Sequence, residues 1–262
     1  MPGVPFSRPA LDSPLFAPLR SWLAHLPAAA PDTDAVAALA ERSPILLPNG
    51  RRIRFVPPRD DGLAYEVRLW ASGEVATRPD NWHDFFNALV WLSFPRAKLA
   101  LSAGHARATA AAGQPRGTHR DALTHFDECG IVVVASQPAL LELLRDFRWK
   151  ALFVERRAEV RRAMRFFVFG HATYEALLAP FHGLTAKAIL HVVDADWLAL
   201  SEAEQVAAVD ALLAADLASP RYARPGAFSP LPLLGIPGVT AESEDPAYYD
   251  DVRQFRPGRR SA

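Results

Sequence analysis

The chain has 262 residues, half of them apolar, and carries 29 basic and 29 acidic side chains. This length and composition provide for a sizeable hydrophobic core, and the balanced charge gives no indication of a nucleic-acid or membrane partner. The single cysteine, Cys129, excludes an intramolecular disulfide and a multi-cysteine zinc site, and it suits a reducing, cytoplasmic location. Residues 1–22 lack a signal-peptide pattern, and no apolar run reaches the roughly 18 residues of a membrane span. We therefore expect a soluble protein.

The first part of the chain predicts an arm, a short helix and a hairpin. The arm, about residues 1–32, is rich in proline and contains one amphipathic piece, PLFAPLRSWLAHL, which we expect to dock as a helix. Asp32 is placed to cap a short helix with the sequence AVAALAER. In the segments RRIRFVPP and LAYEVRLWASGEVATR, polar and apolar residues alternate and β-forming residues are frequent. This pattern predicts two strands with a hairpin turn at Ser72-Gly73.

The rest of the chain predicts helices and strands in a mixed order. Helical character runs from Trp82 to about Ala112, and Pro95 is expected to break or kink it. Further helices are predicted in HRDALTHFDE, QPALLELLRDF, HATYEALLAP and SEAEQVAAVDALLAADLA, and strands in IVVVAS, MRFFVFG and AILHVVD. A Pro/Gly-rich tail, about residues 221–262, is expected to wrap over the core. This order predicts one α+β domain over residues 1–262, with several helices packed on a small mixed β-sheet.

The first candidate site motif is NWHDFFNALVWLSFPRAK. At about 100° per residue, its apolar side chains form one broad arc of a helix, whereas His83, Asp84 and Asn87 lie on the opposite arc together with Trp91. A solvent-exposed face would not favour a tryptophan, so we interpret this face as the lining of a pocket. Histidine is a common metal ligand and proton shuttle. The alternative is a buried polar network that only satisfies its own hydrogen bonds.

The second motif, HRDALTHFDECG, concentrates acidic residues. Helical spacing aligns Asp121 with Glu128, and Asp127 lies beside them. Carboxylate oxygens at this density indicate a site for a hard divalent cation. Two alternatives stay open: the acids form a solvated helix face, or Asp121 pairs with Arg96 or Arg120.

The third motif, FGHATYE, places a histidine where a predicted strand turns into a helix. His171 opens the helix and Glu175 follows one turn later, so both side chains face the same way. They are suited to share a metal ion or to act as an acid–base pair, and a plain hydrogen bond is the alternative. In GLTAKAIL, Lys187 lies among apolar neighbours, which suits an anion-binding lysine, a partner of Glu175, or a surface lysine with a buried stem.

Two further features suggest other functions. Residues 145–165 carry eight basic and three acidic side chains, which is typical either of a phosphate-contacting patch or of a solvated helix face. Cys129 is either a nucleophile or, as is more usual for a lone cysteine before a strand, a small buried apolar residue. The common signatures of nucleotide-binding loops, dinucleotide-binding folds, zinc proteases and serine hydrolases are absent.

Six motifs in order resemble a bacterial family of unknown function, domain-of-unknown-function family 3025. They are NWHDFFNALVW-x-x-FPRAK, RDALTHFDE-x-G, FGHATYE, GLTAKA, PLPLLGIPG and FRP, and they span about residues 10 to 257. The resemblance implies a single domain and brings no reaction with it. The residues that it assigns to the family pattern are His83, Asp84, Asn87, Arg96, Lys98, Asp121, Asp127, Glu128, His171 and Glu175.

These motifs lead to the hypothesis of a divalent-metal-dependent hydrolase that acts on a phosphate-containing or other anionic small substrate. The expected metal ligands are His171, Asp121, and Glu128 or Asp127. The expected acid–base residues are His83, positioned by Asp84 or Asn87, and the pair His171 and Glu175. The expected substrate-binding residues are Arg96, Lys98, Lys187 and Trp91. The alternative is a non-catalytic module that contacts nucleic acid or an acidic partner through residues 145–165, and a third reading is a Cys129-dependent activity.

Overall fold

Helices provide most of the regular structure. The computed structural model describes residues 12–26, 31–110 and 117–258. Its α-helices are α1 (Arg20–Leu23), α2 (Thr33–Arg42), α3 (Tyr65–Ser72), α4 (Trp82–Ser93), α5 (Pro95–Ala110), α6 (Thr118–Cys129), α7 (Pro138–Arg145), α8 (Arg157–Ala163), α9 (His171–Ala176) and α10 (Glu202–Ala218). A search of these ranges finds no helix with the length and apolarity to cross a membrane.

The strands are short and form two sheets. They are β1 (Arg54–Val56), β2 (Glu74–Ala76), β3 (Gly130–Ala135), β4 (Met164–Val168), β5 (Thr185–Val192) and β6 (Ser229–Pro232). Between the helices and strands lie a π-helical turn, Ala151–Glu155, and 3₁₀ segments at Pro14–Leu19, Ala195–Ala199, Pro220–Tyr222, Pro225–Ala227, Leu233–Gly235, Glu242–Glu244 and Pro246–Asp250. The protein is therefore α+β, as the sequence predicts.

The larger sheet has the strand order β4-β3-β5-β6 and lies at the centre of the core. β3 pairs antiparallel with β4 and parallel with β5, and β6 pairs antiparallel with β5. Every residue of β3 is buried, which explains its uninterrupted apolar sequence, GIVVVA. The predicted mixed sheet is confirmed, and the tail supplies its fourth strand.

The predicted hairpin at Ser72-Gly73 is wrong. Residues Tyr65–Ser72 form helix α3, and the strands on either side of it, β1 and β2, pair in parallel. Parallel neighbours require a crossover, which α3 supplies. Gly73 has the left-handed φ of 73° that ends the helix, and a Cβ there would collide with the main-chain oxygen of Arg52. The alternation in LAYEVRLW is too short to distinguish a strand from about two turns of helix.

The break at Pro95 is confirmed. α4 ends at Ser93, and Pro95 begins the separate helix α5. The carboxylate of Asp210, on α10, accepts hydrogen bonds from the main-chain N–H groups of Arg96 and Ala97 at 3.1 and 2.8 Å. These bonds satisfy donors that the start of a helix leaves unpaired, so α10 fixes the position of α5.

Both ends of the described chain pack against the core. Leu15, Phe16 and Leu19 of the first 3₁₀ segment are buried, and the Ser93 hydroxyl donates to the Pro18 carbonyl at 3.0 Å. At the other end, the indole N–H of Trp149 donates to the carbonyl of Arg256 at 2.8 Å. The remaining parts of the predicted arm and tail, residues 1–11, 27–30 and 259–262, lie outside the described residues.

Candidate metal centre

The candidate site forms where three helices meet. His83 lies in the first turn of α4, Glu128 in the last turn of α6, and His171 is the first residue of α9. Within the described ranges these three side chains are the one group whose histidine nitrogens and carboxylate oxygen, one from each residue, lie within 4.8 Å of one another. We call this group the His/Glu cluster.

A glycine permits the close approach of α9 to α6. The main-chain N–H groups of Phe169 and Gly170 both donate to the carbonyl of Gly130, at 2.9 and 2.8 Å. A Cβ on Gly170 would collide with main-chain atoms of Glu128, Cys129 and Gly130. Only glycine therefore allows the chain to leave β4 and begin α9 directly against the last turn of α6.

The distances in the His/Glu cluster suit a small metal ion. The Nε2 atoms of His83 and His171 are 2.9 Å apart, and Glu128 Oε2 lies 3.9 and 3.7 Å from them, respectively. A tetrahedral ion with bonds of about 2.0–2.1 Å holds its ligand atoms about 3.3 Å apart. The three observed separations bracket that value, so small side-chain movements would complete the coordination.

The far side of each imidazole faces a carboxylate. His83 Nδ1 donates to Glu175 Oε2 at 3.1 Å, and His171 Nδ1 lies 3.9 Å from Asp127 Oδ1 without a well-formed hydrogen bond. Metal-binding histidines commonly turn Nδ1–H toward a carboxylate, which fixes the tautomer and leaves Nε2 free to coordinate. His83 has this arrangement, and His171 has a carboxylate on the same side of its ring at a longer distance.

Burial determines the charge of the cluster. His171 is 5% exposed, and this burial lowers the pKa of its imidazole to about 4, so the ring is neutral at pH 7. Burial also raises the pKa of the Glu128 carboxyl group. Two of the three side chains keep a path to solvent, since His83 and Glu128 are 31% and 39% exposed. These two side chains are therefore in contact with solvent.

A buried ion pair supports the cluster from behind. Lys98 is 2% exposed, and its Nζ donates to Asp127 Oδ1 at 2.6 Å and to Asn87 Oδ1 at 2.9 Å. Its ammonium group also lies 5.4 Å from the centre of the Trp91 ring. Burial favours a neutral Asp127, but Lys98 outweighs this effect and holds the pKa of Asp127 below its usual range. Asp127 is therefore ionised where it faces His171.

Asp84 contributes to the helix start and not to the orientation of His83. Its carboxylate accepts hydrogen bonds from the Arg78 guanidinium at 2.8 and 2.9 Å and from the Arg78 main-chain N–H at 2.7 Å. Asn81, the N-cap of α4, accepts from the main-chain N–H of Asp84 at 3.0 Å. The residue that orients His83 is Glu175, which the sequence analysis paired with His171 or Lys187.

Three other candidate residues lie outside the His/Glu cluster. Asp121 is seven residues from Glu128 on α6, which is about 10 Å along the helix axis. Arg96 lines a groove between α5, α10 and the N-terminal segment. Lys187 lies on β5 opposite Gly130.

The thiol of Cys129 is protonated. Burial raises the pKa of this thiol, and the charge of the nearby Lys187 only partly opposes that effect. A protonated thiol is a weak nucleophile.

Four of the eight basic side chains of residues 145–165 pair with carboxylates. Arg157 and Arg161 both pair with Glu244 of the tail, and Lys150 pairs with Asp250 at 2.5 Å. Arg156 and Glu159 form another pair within the stretch. These pairs reduce the charge available to a phosphate backbone.

The sequence analysis named all members of the His/Glu cluster and grouped His171 with Glu128, but it did not place His83 with them. His83 was predicted as an acid–base residue, whereas Glu128 and His171 were predicted as metal ligands. Arg78, which holds Asp84, was not singled out, and its only signal was its closeness to the helix start in RPDNWHD.

Comparisons with curated proteins and with solved structures yield no match. A family model matches residues 53–259, a range that includes the whole His/Glu cluster and the residues that support it. The chain therefore belongs to the family described as protein of unknown function (DUF3025).

Proposed function

We propose that this protein is a divalent-metal-dependent hydrolase and that His83, Glu128 and His171 hold its metal ion. The single observation that carries the proposal is the 2.9 Å distance between the two Nε2 atoms. His83 Nδ1 donates to Glu175, and the Nδ1 atom of His171 faces Asp127. The 2.9 Å contact is a hydrogen bond in which one Nε2–H donates to the other ring. With a proton on each Nδ1 instead, both Nε2 lone pairs are free to bind one cation.

The ligand set supports a catalytic role for the ion. Two histidines and one glutamate form a three-ligand set of the kind found in catalytic zinc sites, which keep a further position open for water. A bound divalent ion lowers the pKa of such a water and so generates a nucleophile near neutral pH. Imidazole and carboxylate ligands favour first-row transition ions over Mg²⁺ and Ca²⁺.

The charge of the site supports an anionic substrate. A divalent ion, two neutral histidines and the Glu128 carboxylate have a net charge of about +1 in the coordination sphere, and the Glu175 carboxylate lies behind His83. A negatively charged group is therefore attracted to the open position of the ion. Lys98 serves this purpose only indirectly, because it is buried against Asp127 and Asn87. We therefore propose a phosphate-containing or other anionic small molecule as the substrate, bound through the metal and not through Lys98.

The proposal assigns new roles to several predicted residues. His83 becomes a metal ligand, Asp127 becomes the residue that faces the second histidine, and Glu175 orients the first. Asp121 has no role in the centre, because about 10 Å of helix separates it from Glu128.

The test is metal-dependent stabilisation followed by a hydrolase screen. Thermal unfolding of the wild type would be measured with EDTA and with Zn²⁺, Co²⁺, Mn²⁺ or Mg²⁺. We expect Zn²⁺ or Co²⁺ to stabilise the folded protein by about 2.7 kcal/mol at a hundredfold excess over Kd. His83→Ala and His171→Ala should lose this response, whereas His125→Ala, which removes an exposed histidine of α6, should keep it. If no ion stabilises the wild type more than it stabilises His171→Ala, the metal centre is rejected.

Nucleic-acid binding through residues 145–165 stays a separate prediction. Such binding would weaken steeply with salt and would be lost in an Arg156→Ala, Arg157→Ala double variant but retained in His171→Ala. The ion pairs of this stretch with Glu159 and Glu244 favour the hydrolase over this alternative.

A further inference from the structure

One cavity of the protein lies away from the His/Glu cluster. Its volume is about 460 Å³, and it is bounded by the first 3₁₀ segment, the edge strand β4 and the start of α10. None of the three cluster residues lines it. This volume lies within the range of about 300–1,000 Å³ that is typical of small-molecule sites.

The base of this cavity is apolar. Met164 and Phe167 of β4 and Ile236 of the tail contribute to its lining, and each is at most 3% exposed. The Phe167 ring is held by an edge-to-face contact with Trp197, with ring centres 6.0 Å apart. A ligand with an apolar body would therefore meet a surface that is already ordered.

Three arginines surround the same cavity. Arg20 pairs with Glu202 at 2.6 Å, and Arg161 pairs with Glu244 at 3.0 Å. Arg165 donates through Nη1 to the carbonyls of Met164, Arg161 and Arg162 at 2.7, 3.3 and 3.4 Å and has no carboxylate partner among the described residues. The lining thus contains three cations and one anion, Glu202, and the cation of Arg165 is not neutralised.

We propose that this cavity binds a small organic acid, with its carboxylate on the arginines and an aromatic or branched apolar body on the base. The planar guanidinium group matches a carboxylate with two parallel hydrogen bonds, which favours this head group over a neutral one. The proposal is independent of the metal centre, because the two sites share no residue.

The first test compares two ligands that differ only in the head group. Binding of 4-phenylbutyrate and of 4-phenylbutanol would be measured by calorimetry in the presence of EDTA, so that a carboxylate cannot bind through a metal ion. We expect the acid to bind at least tenfold more tightly than the alcohol and its affinity to fall as salt is raised. Equal affinity of the two compounds would overturn the proposal, and so would the absence of binding by the acid.

The second test locates the bound acid. Arg165→Gln and Arg161→Gln should each weaken the binding of 4-phenylbutyrate at least fivefold. Arg253→Gln removes an 81% exposed arginine outside the cavity and should leave the affinity unchanged. If Arg165→Gln does not fold, Arg161→Gln still provides the test. Arg161 makes only an exposed ion pair with Glu244, so its loss should not prevent folding. Equal effects of all three variants, or loss of binding in His171→Ala, would overturn the assignment to this cavity. Binding that survives in His171→Ala supports the cavity whether or not the metal centre exists.

Discussion

His83 and His171 face each other through their Nε2 atoms at 2.9 Å, although 88 residues separate them in the chain. Each ring has a carboxylate on its opposite side, Glu175 for His83 and Asp127 for His171. The two imidazoles are thereby aimed at one point, with Glu128 beside it.

Glu175→Gln should weaken the binding of the metal ion without unfolding the protein. Glu175 orients His83 and increases its basicity, and the loss of such a carboxylate typically costs 10–100-fold in metal affinity. The side chain is 46% exposed, so the melting temperature of the metal-free protein should change little. Calorimetric Zn²⁺ titration of this variant and of Glu155→Gln, an exposed acid on another element, would provide the comparison. Equal affinities would show that Glu175 does not act on the metal.

Lys98→Met should destabilise the fold strongly. It removes the cation of a buried pair and leaves the Asp127 carboxylate without its partner, a change that typically costs about 3–5 kcal/mol. Adding Asp127→Asn to Lys98→Met should restore part of the loss, because no unpaired charge then remains. The free energies of unfolding in urea of the wild type, both single variants and the double variant form a double-mutant cycle. Additive effects of the two substitutions would contradict the coupling.

Glu66→Gln should stabilise the protein at alkaline pH and have little effect at acidic pH. Burial raises the pKa of Glu66 to about 7, and one of its oxygens is buried without a hydrogen-bond partner. A folded-state pKa above the unfolded value gives stability that is complete below about pH 4.5 and is lost as the pH rises through about 7. The cost of ionisation is at most about 3 kcal/mol.

The pH test compares the free energy of unfolding at pH 5 and pH 8. Glu66→Gln should gain more stability relative to the wild type at pH 8 than at pH 5, whereas Glu142→Gln, which removes an exposed acid of α7, should show no such dependence. A gain of the same size at both values would exclude the raised pKa as the cause.

Gly170→Ala should separate α9 from α6. The added Cβ would collide with three main-chain atoms, which cannot move as a flexible side chain can. Overpacking of this kind typically costs about 1–3 kcal/mol, and His171 would be displaced from Glu128. We expect a lower melting temperature and the loss of metal-dependent stabilisation.

Gly226→Ala is the matched control, because a Cβ at Gly226 meets nothing within 4 Å. Its stability and metal response should equal those of the wild type. A Gly170→Ala variant that behaves in the same way would show that the close approach of α9 to α6 is unnecessary.

Local signals predicted the elements that depend on local chemistry. Pro95 separates α4 from α5 because it lacks an N–H group, and Ser201 caps α10 through a hydroxyl that accepts from the main chain of Glu204. The continuous apolar run of β3 identified a buried strand. The failure at LAYEVRLW came from a pattern of eight residues, too short to specify a period.

The α+β class, most of the helices and strands, and the residue types available to the candidate site can be predicted from the order of the residues. Helical spacing also places His171 and Glu175 on one face, since that relationship depends only on the turn of a single helix. The contacts of His83 with both of them, and the pairing of Lys98 with Asp127, are visible only in the folded protein. These relationships depend on how closely separate helices approach, and the approach of α9 to α6 depends on main-chain contact at Gly170. Periodicity describes the direction of a side chain from its own helix axis and contains no information about the distance to another helix.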